Sequence, residues 1–139
     1  MDRRATASSL FSVTDLAVAE KRYTVAEADA LLPYLAPTLV ELRERSEEAA
    51  RIKEAMDTAA ASNGGSSERK RWARVLARVD ELFGKLNEWE VELRDLQTGL
   101  VDLPTVIDGR DAYLCWRLGE PNVAHWHSPE DGFRGRRPL

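Results

Sequence analysis

Residues 109–133 read GRDAYLCWRLGEPNVAHWHSPEDGF and concentrate the rarer side chains of this 139-residue chain. They include the only cysteine, both histidines and two of the four tryptophans. Two runs of β-forming residues, 112–118 and 123–127, flank the turn-forming segment Gly119-Glu120-Pro121. The stretch therefore predicts an antiparallel β-hairpin, and this hairpin is where we expect a functional site.

The register of the hairpin decides which side chains share a face, because successive residues of a strand point to opposite sides. A three-residue loop keeps the apolar side chains together and sets Cys115 opposite His125 and Tyr113 opposite His127. A four-residue loop would place both histidine rings in the apolar layer, where polar groups are costly to bury. We therefore predict an apolar face that docks on the helices, made by Leu114, Trp116 and Trp126. The polar face is predicted to carry Tyr113, Cys115, Arg117, His125 and His127.

The segments on either side of the hairpin extend the predicted sheet. Residues 100–107 contain Pro104 and read as an extended segment or an edge strand, where proline is tolerated. Asp108-Gly109 is a tight-turn signal. Residues 100–128 are therefore predicted to form a small antiparallel β-meander. Residues 129–139 are rich in glycine, proline and arginine and are predicted to be an irregular basic tail.

The first helical region, residues 23–62, begins with a capping box in which Thr24 and Glu27 satisfy each other's backbone amides. Pro33 and Pro37 interrupt it, since each removes a backbone donor and disfavours helix in the preceding residue. We expect a short helix to Leu32 and a new helix from Pro33, because proline is well tolerated at a first helical position. A single kinked helix is the alternative.

A second, longer helix is predicted for residues 67–98, about 48 Å in length. Its apolar residues alternate three- and four-residue steps, as in a coiled-coil seam. The seam residues are Trp72, Val75, Val79, Leu82, Leu86, Trp89, Leu93 and Leu96. Gly99 is placed to end this helix, and a short turn rich in glycine and serine at 62–67 folds the helices into an antiparallel hairpin. The predicted fold class is α+β, a long helical hairpin followed by the β-meander.

The seam also predicts association between two copies of the chain. The facing stripe of the first helix is rich in alanine and serine and is too narrow to cover two tryptophans and several leucines. We therefore expect a homodimer through the helical arms, centred on Leu82, Leu86, Trp89 and Leu93.

Composition limits the classes of protein to be considered. The net charge of −4 and isoelectric point near 5.3 make nucleic-acid binding unlikely for the chain as a whole. A single cysteine excludes an internal disulfide and favours a cytoplasmic setting. No apolar run approaches the length of a membrane span. Residues 1–22 lack the apolar core of a signal peptide and are predicted to be a disordered or loosely docked tail.

The polar face of the hairpin supplies two candidate sites. A small anion is expected to bind at Arg117 and His127 first, with Tyr113, Arg110 and Glu120 beside them. A divalent metal such as zinc is the other candidate, with Cys115, His125 and His127 as ligands. Pairing of the arginines with neighbouring carboxylates, and simple packing of the cysteine, are the competing interpretations. Nucleophilic catalysis by Cys115 is not expected, and no catalytic residue is assigned.

Several motifs together resemble DUF2203, a prokaryotic domain family of unknown function. They are YTVAEA at 23–28 with LLP at 31–33, ELRDLQTGLVDLP at 92–104, GRDAYLCWRLGE at 109–120, HWH at 125–127 and GFRGRRPL at 132–139. The resemblance covers residues 22–139, and it implies a bacterial protein and no activity. It also implies that Trp126 and His127 are shared features, whereas the position of His125 is often another aromatic residue.

Two classes of function follow from the sequence. The favoured one is a non-catalytic interaction or structural module that dimerises or docks on a partner through its coiled-coil arm. The alternative is a domain that binds a small anion or a metal ion on the polar face of the hairpin, and for this alternative enzymatic activity is left open.

Overall fold

A computed structural model describes Leu16 and residues 18–59 and 66–139. Two helices, α1 (Val25–Ala59) and α2 (Ser66–Trp89), precede the sheet. The strands are β1 (Glu92–Asp95), β2 (Leu100–Ile107), β3 (Arg110–Arg117), β4 (His125–His127) and β5 (Arg137–Pro138). The α+β fold class is thereby confirmed. Most of the expected N-terminal tail and the glycine- and serine-rich turn between the helices lie outside the described residues.

Helix α1 begins at the predicted capping box. The Thr24 amide donates to Glu27 Oε1 at 2.9 Å, and the Glu27 amide donates to Thr24 Oγ1 at 3.1 Å. The expected break at Leu32 is wrong, because α1 runs unbroken for 35 residues with Pro33 and Pro37 inside it. The alternative of one continuous helix is therefore correct.

Burial explains why α1 continues through its prolines. Ala28, Leu35, Leu39 and Leu42 lie on one stripe of α1 and are completely or almost completely buried. Each large apolar side chain contributes about 1.5–3 kcal/mol when buried. An interior proline costs about 3 kcal/mol. Because a break would turn part of this stripe away from the core, packing outweighs the two prolines.

Helices α1 and α2 form the predicted antiparallel hairpin. Ion pairs join Glu41 to Arg78 at 2.7 Å and Glu48 to Arg71 at 3.3 Å. The residue number rises along α1 while that of its partner on α2 falls, so the helices are antiparallel. These pairs are solvent-exposed and contribute little to stability. The ion pairs therefore show how the two helices are arranged but do not account for the stability of the hairpin.

Helix α2 ends at Trp89, nine residues before the predicted end at Thr98. The Val91 amide donates to the Leu86 carbonyl and the Glu90 amide to the Asn87 carbonyl, with Glu90 at φ 56°. These bonds form a Schellman motif, a common helix terminus that usually places glycine at the left-handed position. Because glutamate occupies that position here, the terminus left no local signal in the sequence.

The residues beyond this terminus form β1 and a turn rather than more helix. Leu93 lies in β1, and the turn between β1 and β2 is closed by Asp95, which accepts from the Thr98 amide and hydroxyl. Gly99 does not end a helix but completes this turn at φ 69°. A side chain there would meet Leu118 Cβ at 2.6 Å, so the position requires glycine.

The five strands form one antiparallel sheet in the order β1-β2-β3-β4-β5. The predicted register is confirmed, since Tyr113 pairs with His127, Leu114 with Trp126 and Cys115 with His125. The C-terminal residues were expected to be irregular, but part of them forms β5, which pairs with β4 after a short 3-10 turn at Phe133–Gly135. The chain end therefore continues the sheet and supports β4.

The apolar face of the sheet packs on the helices, as predicted. Leu114 and Trp116 share one core with residues of α1 and α2, and Trp126 packs against its edge. The α2 members of this core all lie in its C-terminal half. A separate cluster near the far end of the helical arm contains Ala49, Ile52 and Val75.

The seam that motivated a homodimer is partly buried within the chain. Leu82 and Leu86 are 0% and 2% exposed, and Leu93 packs against the same core from β1. The sheet covers part of what α1 leaves open, while Trp72 and Trp89 are half-buried. Dimerisation itself stays a prediction. None of the helices in the described part of the chain is long and apolar enough to cross a membrane.

Replacing Trp116 by alanine should lower the free energy of unfolding by about 3–5 kcal/mol, because its side chain is 2% exposed in the core. Urea denaturation followed by circular dichroism measures the change. Val106→Ala is the matched control on the neighbouring strand, since Val106 is 48% exposed and its loss should cost under about 0.5 kcal/mol. Equal effects of the two substitutions would contradict this account of the core.

Candidate functional site

The polar face of the sheet is less open than the sequence suggested. Tyr113, Cys115 and His127 share it as predicted, but all three are buried, and Cys115 and His127 are each 1% exposed. Asp102 on β2 joins them, because it pairs directly with Cys115 across β2 and β3. The middle of this face is therefore a buried polar layer, while Arg117 at the end of β3 is exposed.

Three side chains of this layer converge into one cluster, which we call the Asp-Cys-His cluster: Asp102, Cys115 and His127. One carboxylate oxygen, the thiol sulfur and one imidazole nitrogen all lie within 4.8 Å of one another. The three residues come from three adjacent strands, so the antiparallel register brings them together. Asp102 and His127 reach toward each other from the strands on either side of β3.

Both ring nitrogens of His127 face hydrogen-bond acceptors. Nδ1 lies 2.7 Å from the Ser128 carbonyl oxygen, which can only accept, so Nδ1 carries a hydrogen. Nε2 lies 2.9 Å from Asp102 Oδ2. A neutral ring would then present a lone pair to a carboxylate oxygen. The pair therefore requires a positive species between the two atoms, either a proton or a metal ion.

Hydrogen bonds outweigh burial in setting the proton affinity of His127. Burial alone would lower its pKa, but the bonds to Asp102 and to the Ser128 carbonyl raise it, and the pKa lies above the usual 6.5. Without a metal ion, the geometry thus favours an imidazolium beside the Asp102 carboxylate.

The Asp102 carboxylate, 2% exposed, is only partly compensated. Its Oδ2 accepts from Arg94 Nε at 2.7 Å as well as facing His127. Its Oδ1 is buried and has no hydrogen-bond partner among the described residues. A buried carboxylate oxygen without a partner is costly, and a cation or a hydrogen-bond donor beside it would offset that cost.

The thiol of Cys115 is not activated as a nucleophile. Burial raises its pKa to about 11, and the nearby negative charge of Asp102 acts in the same direction. Both nitrogens of His127 are engaged by Ser128 and Asp102, which leaves neither to take the thiol proton. The arrangement therefore does not support thiol catalysis through a histidine base.

The residues predicted for a metal do not all converge. Cys115 and His127 belong to the Asp-Cys-His cluster, but His125 does not, although it stands directly opposite Cys115 on β4. Asp102 takes its place as the third donor. The donor set of one sulfur, one nitrogen and one oxygen suits zinc and neighbouring transition metals.

The residues predicted for an anion are dispersed. Arg117 is exposed, with its guanidinium 5.7 Å from the Phe133 ring centre. Glu120 accepts from Arg136 at 2.6 Å and from the Arg117 amide at 2.8 Å, so it serves the loop after β3. Arg110 lies at the tip of the β2–β3 hairpin, in a groove of about 730 Å³. The predicted anion residues thus fall into separate places, with Arg117 beside Glu120 and with the ring centres of Tyr113 and His127 5.5 Å apart.

Two important residues escaped the sequence analysis because β1 was taken for helix. Arg94 bonds Asp102 and lies 5.1 Å from the Tyr113 ring centre, and Glu92 pairs with Asp102 across β1 and β2. Read as a strand, residues 92–95 would have placed alternating side chains beside Asp102. The two-residue alternation of a strand was present in residues 92–95, but Leu93 and Leu96 also fit the heptad pattern of the preceding helix.

The segment before α1 also contacts this side of the sheet. Leu16 is buried and its backbone bonds the Tyr113 side chain, while Arg22 donates to the Leu16 carbonyl and to Asp111. Glu90 accepts from the Glu20 and Lys21 amides. The residues before α1 that the structure describes are therefore docked near the Asp-Cys-His cluster.

Comparison with known proteins gives a family and no activity. A family model described as "Uncharacterized conserved protein (DUF2203)" matches residues 21–139, nearly the whole chain. No curated protein and no solved structure matches the chain.

The stability of the metal-free protein should depend on pH through His127. Because its folded pKa is raised above 6.5, protonated His127 stabilises the fold fully below about pH 6.5. This contribution is lost as the pH rises through the folded pKa. Wild type should therefore exceed His127→Gln in free energy of unfolding by about 1.5–3 kcal/mol at low pH. The difference should shrink in alkaline buffer.

Chemical denaturation in the presence of a chelator, repeated across pH, measures this difference. His125→Gln is the matched control, because His125 has no contact with Asp102 within the described structure and should leave the pH dependence intact. A gap between wild type and His127→Gln that is constant with pH, or that widens as the pH rises, would contradict the imidazolium assignment.

Proposed function

The chain belongs to the DUF2203 family, whose description names no activity. From the geometry of the site we propose that it is a metal-binding protein, which holds a divalent ion of the zinc class through Asp102, Cys115 and His127. This is the alternative raised by the sequence, with Asp102 in place of His125. The helical hairpin and the sheet then serve as a rigid frame for the ion.

The single observation that supports this function is the orientation of His127. Its Nδ1 hydrogen is committed to the Ser128 carbonyl at 2.7 Å, which directs the Nε2 lone pair at the carboxylate of Asp102. Metal-bound histidines almost always donate their other ring hydrogen to a carbonyl or a carboxylate in this way. The ring is thus oriented as a metal ligand would be.

The dimensions of the Asp-Cys-His cluster also suit a small ion. Bond lengths of 2.0–2.3 Å in a tetrahedral zinc site separate neighbouring ligand atoms by about 3.3–3.7 Å. The donor atoms here lie within 4.8 Å of one another, so side-chain shifts of about 1 Å would complete the geometry. The ion would also offer a partner to Asp102 and hold Cys115 as a thiolate, despite its raised pKa.

Three protein ligands leave one position of a tetrahedral site open. Structural zinc sites usually have four protein ligands, whereas sites that bind an external molecule keep a fourth position for water or a ligand. The described cluster contains three. This supports an ion that is available for binding and not only for holding the fold together.

Zinc titration of the purified protein, stripped of metal by a chelator, should give one ion per chain. Cobalt should give the absorption of a thiolate-bound ion. Cys115→Ser and His127→Gln should weaken binding by more than the roughly 10- to 100-fold expected for the loss of an outer-shell partner. His125→Ala should bind like wild type, because His125 lies outside the Asp-Cys-His cluster.

Circular dichroism of each variant establishes that the fold is retained before binding is compared. If wild type takes up neither zinc nor cobalt, the proposed function is wrong. Equal loss in His125→Ala and His127→Gln would instead restore the ligand set of Cys115, His125 and His127.

A further inference from the structure

Arg94 occupies a special position at the Asp-Cys-His cluster. Its Nε donates to Asp102 Oδ2 at 2.7 Å, the same oxygen that faces His127. Its Nη1 lies 3.7 Å from Glu92 Oε1, so one guanidinium adjoins two buried carboxylates. The Asp102 side chain is 2% exposed, but that of Arg94 is 41% exposed. Arg94 therefore connects the buried cluster to solvent.

The backbone at Arg94 departs from regular strand pairing. Arg94 lies on β1, an edge strand of the sheet, at a shift in the β1–β2 register between Leu93 and Asp95. Neither Leu100 nor Val101 on β2 is paired with Arg94, since they pair with its two neighbours. Bulges of this kind commonly redirect one side chain at the rim of a site. An outward rotation of Arg94 would break no strand pairing.

Charge makes Arg94 and a metal ion competitors. An ion bound by Asp102 would bring two positive charges next to a guanidinium that already neutralises that carboxylate. Asp102 Oδ2 already accepts from Arg94 Nε, so the carboxylate has less negative charge to offer an ion at either of its oxygens. Binding of one cation therefore weakens binding of the other.

We propose that Arg94 is a tethered cation that takes the place of the metal ion at Asp102 in the metal-free protein. When the ion binds, Arg94 leaves Asp102 and turns to solvent over the edge of β1. Arg94 thus keeps the buried carboxylates neutralised until an ion arrives, and it lowers the affinity for that ion. This inference rests on the proposed metal binding and concerns how the same site is regulated.

The proposal predicts the sign of a mutational effect. Arg94→Gln removes the competing cation and should tighten zinc binding about tenfold or more, the effect of losing one charge-assisted hydrogen bond. Arg94→Lys keeps a positive charge and should lie between Arg94→Gln and wild type. Arg117→Gln is the matched control. Arg117 was predicted on the same face, but its exposed side chain lies beside Phe133 and away from Asp102, so the substitution should leave the affinity unchanged.

Competition titrations against a zinc chelator measure the affinities of the full-length variants. If zinc binds wild type but binds Arg94→Gln equally or more weakly, Arg94 supports the ion instead of competing with it, and this proposal is overturned while metal binding stands. If zinc binds none of the proteins, the proposed function itself fails.

A second measurement uses wild type alone and does not depend on how the variants fold. Phenylglyoxal modifies accessible arginines, and mass spectrometry of the digested protein reads the extent at each position. Zinc should increase modification of Arg94 severalfold while leaving the exposed Arg117 unchanged as an internal reference. Unchanged or reduced modification of Arg94 in the presence of bound zinc would overturn the proposal.

Discussion

The carboxylate of Asp102 is the group on which the polar half of this structure depends. A charged group that is 2% exposed is stable only where opposite charges and hydrogen bonds compensate it. Arg94 from β1 and His127 from β4 supply that compensation from opposite sides of β2 and β3. Sheet register and site geometry are therefore the same constraint, because a shift of one residue in any of these strands would turn a partner to the apolar face.

Strand β4 is the shortest of the strands that contribute to the Asp-Cys-His cluster, and its neighbours in the sheet hold it in place. It has only three residues, but β3 pairs with it on one side and β5 on the other. Arg136, just before β5, donates to Glu120 in the loop after β3 and lies 3.5 Å from the Cys115 carbonyl oxygen. The basic C-terminal segment therefore holds β4 in the sheet beside β3.

The structure also changes which function is favoured. The sequence pattern favoured an interaction module because the α2 seam was too apolar for a single partner helix. Folding of the sheet onto α1 and α2 buries Leu82 and Leu86 within one chain, so these two residues are not free to form a dimer seam. The polar layer, by contrast, retains an unpartnered oxygen at Asp102 and a histidine oriented by Ser128.

Features encoded within a few residues of one another were readable from the sequence, and features that join distant segments were not. The Thr24–Glu27 capping box, the α+β class and the pairing of Cys115 with His125 follow from local hydrogen bonds and the two-residue period of strands. The end of α2 did not, because Glu90 occupies a position where glycine would have been the signal. Continuity of α1 through Pro33 and Pro37 was decided by burial against the sheet, and the contact of Arg94 and His127 with Asp102 by strands that meet only in the folded chain. Local propensities amount to a few tenths to a few kcal/mol per residue, and tertiary burial of several side chains exceeds them.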